Sequence, residues 1–212
     1  MSEEKTKKPS KKKYYDNVSV GKRTKQVAYL VEDGDKASMF EYFIKNSDKK
    51  QSIVVARSKR RADELKEYLK TKDISAASIH GNHRVEQHEE AAKSFNSGEL
   101  NILITTDMIL QTLELNNIQT ILNYDLPPQH EDYFNRLILV DGVGESICFV
   151  SPEEEGLLSI LELRLKNEMP QEELEGFTPE VSDEVAHVVK DKKKKPRHRS
   201  QVVKKVKKKK AE

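Results

Sequence analysis

The 212 residues carry 38 Lys and Arg against 36 Asp and Glu, a formal charge of +2, and are 35% hydrophobic and 35% charged. That length holds one ordinary domain with tails but not two full domains, and an apolar share below the globular norm of roughly 45 to 50% implies that part of the chain builds no core. No apolar run approaches the roughly 18 residues that span a bilayer, no apolar stretch follows the N-terminal lysines as in a signal peptide, and one cysteine, Cys148, excludes an intramolecular disulfide framework and any cysteine-rich zinc module.

A cytoplasmic protein without a membrane segment is therefore expected. The near-neutral sum hides an asymmetry. Residues 1–13 hold six Lys and two Glu, and residues 190–210 hold eleven Lys and two Arg against one Asp, which leaves 14–189 with a net charge of −13. An acidic body lies between two cationic arms. The expected organisation is a flexible basic segment over 1–23, a folded domain over 24–178 and a Lys-rich disordered tail over 179–212, where like charges repel and too little apolar surface exists to offset chain entropy.

From Gln26 onward, short β-rich runs alternate with helical patterns. Strands are predicted at Val27 to Val31, Ser52 to Ala56, Ala76 to Ile79, Ile102 to Thr105, Thr120 to Asn123 and Ser146 to Val150. Between them Ala62, Leu65 and Leu69, and then Val85, His88, Ala92 and Phe95, recur at helical spacing. Ser151-Pro152 followed by three Glu reads as a capped helix start running to about Asn167, with Leu158, Leu161 and Leu165 as its buried stripe. Alternation of this kind predicts an α/β fold: a three-layer α/β/α domain around a mainly parallel sheet of about six strands, joined by right-handed crossovers. Cys148, inside an apolar run, is expected to be a small buried side chain.

Four segments in order, Ile53 to Lys59 (IVVARSK), Ile79 to Phe95 (IHGNHRVEQHEEAAKSF), Asn101 to Leu115 (NILITTDMILQTLEL) and Asn123 to Arg136 (NYDLPPQHEDYFNR), resemble the C-terminal RecA-like domain of DEAD-box RNA helicases. The similarity runs over roughly Lys25 to Phe177. It implies a RecA-like fold, and a family in which two such domains clamp ATP and single-stranded RNA. Neither a G-x-x-x-x-G-K-[ST] loop nor a D-E-A-D quartet occurs in these 212 residues, so a stand-alone domain without Walker-type chemistry is expected. Where the family reads H-R-I-G-R-x-G-R, this chain reads Asn135-Arg136-Leu137-Ile138-Leu139-Val140-Asp141-Gly142. The first arginine stays and both later ones, the charge-neutralising fingers, are absent. The family's A-T-D-x-x-A-R-G-L-D becomes Thr105 to Glu114, with Gln111, Thr112 and Glu114 at altered positions, and its Q-x-x-R becomes Val85 to His88.

The resemblance places Arg57, Ser58, Lys59, His80, Gly81, Thr106, Asp107 and Arg136 where the family contacts RNA or supports that contact. The alternative for Ser58 is a helix cap, for Arg57 an acidic partner, and for Arg136 a structural ion pair. No catalytic residue, cofactor or metal is assigned; His80, His83 and His88 lack a ligand spacing. The tail cations Lys192, Lys193, Lys194, Lys195, Arg197, Arg199, Lys204, Lys205, Lys207, Lys208, Lys209 and Lys210 are expected to bind nucleic acid, RNA first, by displacing condensed counterions. Met108, Ile109, Leu110, Leu137, Ile138, Leu139 and Val140 are expected either to form an exposed apolar patch for a protein partner or homodimer, or to be buried by local folding. The functional expectation is a non-catalytic, RNA-associated accessory protein. The alternatives are a helicase or ATPase subunit completed in trans by a partner chain, and a protein scaffold.

Overall fold

All six strands predicted from the β-rich runs form, and they join a seventh in one sheet. The computed structural model describes residues 17–47, 51–140 and 144–179; the tail cations Lys192 to Lys210 and residues 1–16 of the basic N-terminal segment lie outside them. The strands are β1 (Lys25–Leu30), β2 (Ser52–Val55), β3 (Ala77–Ile79), β4 (Ile102–Thr105), β5 (Thr120–Asn123), β6 (Glu145–Val150) and β7 (Gln171–Glu172), and the helices are α1 (Asn17–Arg23), α2 (Lys36–Asn46), α3 (Lys59–Thr71), α4 (Val85–Ser97), α5 (Asp107–Leu110), α6 (His130–Leu139) and α7 (Glu155–Leu165). Every pairing is parallel, in the order β3-β4-β2-β5-β6-β1-β7.

Both faces of a parallel sheet must be covered, which is why β2, β4 and β5 read as continuous apolar runs. Their residues alternate between two cores. Val54, Ile104, Leu122 and Phe149 face α2 and α3, meeting Phe40, Phe43, Leu65 and Leu69. Ile53, Val55, Leu103 and Ile121 face the other way, onto Phe95 of α4 and Ile109 and Leu110 of α5. Further along that second face, Cys148 and Val150 pack with Tyr133, Phe134 and Leu137 of α6 and Leu158, Leu161 and Leu165 of α7. The chain steps across the sheet in one direction from β1 to β3, with α2 and α3 on one face. It then reverses, so the same crossover hand puts α4 to α7 on the other. Loops leaving adjacent strands diverge where that direction changes, beside β2 and between β6 and β1.

Two boundaries differ from expectation. Residues 17–23, placed in the flexible N-terminal segment, form α1, whose Val20 is buried against α6 and α7. A Cβ on Gly21 would lie 2.5 Å from Leu165 Cδ2, so glycine is what lets α1 approach α7. The final helix starts with a 3-10 turn over Pro152–Glu154 and ends at Lys166, which adopts the left-handed conformation, before Met169-Pro170 is reached.

Candidate nucleic-acid interface

Parallel strands aim all their C-terminal ends at one edge, and in open α/β sheets ligands bind in the crevices at that edge. Because β3, β4 and β2 are neighbours, their exit loops lie side by side: His80-Gly81-Asn82, Thr106-Asp107-Met108 and Arg57-Ser58-Lys59. These loops touch. A Cβ on Gly81 would lie 3.4 Å from Met108 Cε and 3.5 Å from Lys59 Nζ, and Lys59 Nζ donates to Asn82 Oδ1 at 2.7 Å. Seven of the eight expected contact residues are thus brought to one edge, and Arg136 joins them only from beneath.

Their environments divide them. Arg57 is exposed at the β2 exit, while its backbone N–H donates to Asp125 Oδ2 at 3.0 Å. Ser58 caps α3 by accepting from Arg61 N–H at 3.2 Å, the structural alternative for that residue. His80 is buried, and its Nε2 lies 2.9 Å and 3.0 Å from the two carboxylate oxygens of Asp63. Its Nδ1 accepts from Asn82 N–H, and its carbonyl oxygen accepts from His88 Nε2 at 3.2 Å. Partial burial opposes ionisation of Asp63, but hydrogen bonds from His80 and Ser78 hold its carboxyl below the usual range. Thr106 is buried at the start of α5. His80 and Thr106 therefore shape the loops and offer little side-chain surface to a ligand.

Arg136 takes the structural ion-pair role. It is 1% exposed, with Nε and Nη2 donating to the two Asp107 oxygens at 2.6 Å and 2.8 Å and Nη1 donating to Asn123 Oδ1 at 2.8 Å and the Asp125 carbonyl at 3.0 Å. Bidentate pairing of this kind consumes the guanidinium and its partner carboxylate. Arg136 and Asp107 tie α6 to the β4 and β5 exits, and Arg136 has no surface left for a phosphate. Of the two alternatives for the apolar residues, the structure takes burial by local folding. Ile109, Leu110, Leu137 and Val140 are buried in the domain's own cores and Leu139 packs partly against one of them, so only Met108 and Ile138 of the seven are exposed.

Behind the loops lies a charge cluster that sequence reasoning missed. Lys36, fully buried at the start of α2, donates to Glu154 at 2.5 Å and to the Tyr124 carbonyl at 3.1 Å, and lies 3.5 Å from Asp125. Glu154 also accepts from Leu126 N–H and from the backbone and hydroxyl of Ser151. Arg61 bridges Asp125 and Asp33, and its hydrogen bond to Asp33 holds that carboxyl below its ordinary range against partial desolvation. The signal available in sequence was Arg61 one helical turn beyond Arg57, with the acid of Asn123-Tyr124-Asp125 inside the quoted motif. Asp125 fixes the backbone at Arg57, so this cluster sets the position of that exposed cation.

Comparison with known proteins agrees with this geometry. Residues 35–137 match the helicase conserved C-terminal domain. The DEAD-box ATP-dependent RNA helicase CshA of Streptococcus pneumoniae is 34% identical over 121 residues, 56% of this chain and 23% of the relative. The ATP-dependent RNA helicase vasa of Drosophila melanogaster is 33% identical over 135 residues, 62% of this chain and 20% of the relative. The described part of this chain is a helicase C-terminal domain related to that of the DEAD-box RNA helicases. It spans less than a quarter of the length of those two relatives. The same fold is seen in E. coli SrmB bound to regulator of ribonuclease activity A, with a TM-score of 0.69, 20% identity and coverage of 74% of this chain and 95% of that one. It is seen again in S. cerevisiae Dbp5 bound to RNA and ADP BeF3, with a TM-score of 0.69, 21% identity and coverage of 76% and 44%. Among the described residues no helix is long and apolar enough to cross a membrane.

Proposed function

We propose that this helicase C-terminal domain acts as a non-catalytic, cytoplasmic RNA-associated accessory protein. Its Lys-rich arms supply most of the affinity, and the β2–β3–β4 loop edge adds a short backbone contact through Arg57 and Lys59. The observation that carries the reading is the fate of the last helicase motif. Its one retained arginine, Arg136, is spent on Asp107, Asn123 and Asp125, and Leu139, where the first finger of the family would stand, packs partly against a core. A developing phosphoryl charge would meet no guanidinium there, and loss of one such finger costs about 10³ to 10⁵ in rate.

Phosphate contact without base readout follows from the residue types left at the edge. Fluorescence anisotropy with a single-stranded RNA oligonucleotide over a salt series tests it. Each phosphate neutralised contributes about −0.7 to the slope of log affinity against log salt. Replacing Arg57 and Lys59 by Ala lowers that slope by one to two such steps, whereas removing residues 190–212 removes most of it. A slope unchanged by tail deletion contradicts the arm model. The second reading, a subunit completed in trans, is favoured by the intact fold of the loop edge. RNA-stimulated ATP turnover on adding a partner chain that carries a phosphate-binding loop would replace the accessory role with that one.

A further inference from the structure

A second crevice opens at the same sheet edge, between the exits of β6 and β1, where loop direction also reverses. It encloses about 550 Å³. One wall is residues 173–179, held to the body by Tyr42, whose hydroxyl donates to the Glu175 carbonyl at 3.0 Å and whose ring packs on Phe177 with centroids 5.9 Å apart. Gly176 makes that hold possible: its φ is +79°, and a Cβ there would lie 2.5 Å from the Tyr42 hydroxyl. The floor is apolar, from Leu30, Met39, Val150 and Leu174, and Leu30 is 48% exposed. The rim is acidic, from Glu32, Glu155, Glu173 and Glu175, and no lining residue is cationic. None of these four carboxylates forms an ion pair among the described residues.

Four carboxylates with no cation among the lining residues repel nucleic acid, so this face does not extend the RNA edge. An apolar trough inside an anionic rim is complementary to the opposite pattern, aliphatic side chains flanked by cations. We infer that the β6–β1 crevice is a docking site for an extended segment of a partner protein in which one or two aliphatic residues alternate with Lys or Arg. The aliphatic side chains sit over Leu30 and Leu174, and the cations meet Glu32 and Glu173 across the trough. This surface is separate from the nucleic-acid face, and its failure leaves the proposed RNA role intact.

The test is anisotropy of a dye-labelled eight-residue peptide alternating Lys and Val, titrated with the full chain at moderate salt. Saturable binding is expected, with about tenfold loss on replacing Val by Ser in the probe and about tenfold or more in the Glu32→Lys, Glu173→Lys double variant. Glu89→Lys with Glu90→Lys on α4 makes the same charge change away from the crevice and leaves affinity within about twofold. Melting curves confirm that both double variants are folded. Absence of saturable binding, equal binding of the Ser probe, or equal weakening by the α4 pair overturns the proposal, because the last two mean only general attraction to an acidic body.

Discussion

Replacing Arg136 by Ala separates a structural arginine from a ligand-binding one. In the folded chain its guanidinium makes four hydrogen bonds, and the acceptors Asn123 Oδ1 and the Asp125 carbonyl belong to residues that are 0% exposed. Each loses its donor on truncation, at about 1 to 3 kcal/mol per stranded group. Asp107, with 22% of its side chain exposed, is rehydrated and adds less. The sum, about 3 to 5 kcal/mol, matches the cost of breaking a buried pair from one side. It is a large share of a domain stability of about 5 to 15 kcal/mol. In urea, with a slope of about 2 kcal/mol per molar, the midpoint falls by about 2 M. Circular dichroism at 222 nm and tyrosine fluorescence follow it. A double-mutant cycle with Asp107→Asn yields a coupling energy of at least about 1 kcal/mol. A midpoint shift under about 0.5 M, together with a clear loss of RNA affinity, would show instead that Arg136 is free to meet a ligand.

Gly144→Ala places a Cβ 2.2 Å from Val140 Cγ1 and 2.5 Å from the Gln119 carbonyl, and costs about 1 to 3 kcal/mol by overpacking, read as a lowered urea midpoint. Lys36→Met strands buried Glu154 with only its Leu126 and Ser151 donors and costs about 3 kcal/mol, and adding Glu154→Gln recovers part of the loss. Burial pushes the Cys148 thiol up to about 11, so a thiol reagent at pH 8 reacts only on unfolding. Stability is held below the thiol's ordinary range near 8.5 and declines as pH rises from there towards the folded value. Asp33 and Glu41 have lowered pKa values through hydrogen bonds from Arg61 and from Lys45 and Tyr68, and Asp63 has one despite partial desolvation. Their contribution is complete above about pH 4 and is lost as pH falls through the lowered values, so melting temperature declines on acidification.

Much of this was legible in the sequence because a doubly covered parallel sheet leaves unbroken apolar runs and its helices leave spaced ones. Ile53-Val54-Val55 and Leu158, Leu161 and Leu165 are of this kind. Strand β7 escaped because it is two residues long with both side chains exposed. Helix α1 escaped because, among its described side chains, Val20 is the one buried apolar group, and lysines precede it. The apolar runs in α5 and α6 were ambiguous for a different reason. Composition reports that Ile109, Leu110 and Leu137 avoid water, but not whether the same domain or another protein covers them, and three-dimensional packing answers that in favour of the domain. The buried cluster was hidden since Lys36, Arg61, Asp125 and Glu154 come from four separate elements. Lys36 in particular looks like any surface helix lysine until the β5 and β6 exits close over it.

On the proposed function, this domain holds RNA and does not turn over nucleotide. Steady-state ATP hydrolysis by the purified chain, measured with RNA above its dissociation constant, tests that most directly. Saturable RNA binding with no hydrolysis above the buffer blank is expected. RNA-stimulated turnover by the chain alone, proportional to its concentration and retained through two independent purifications, contradicts it.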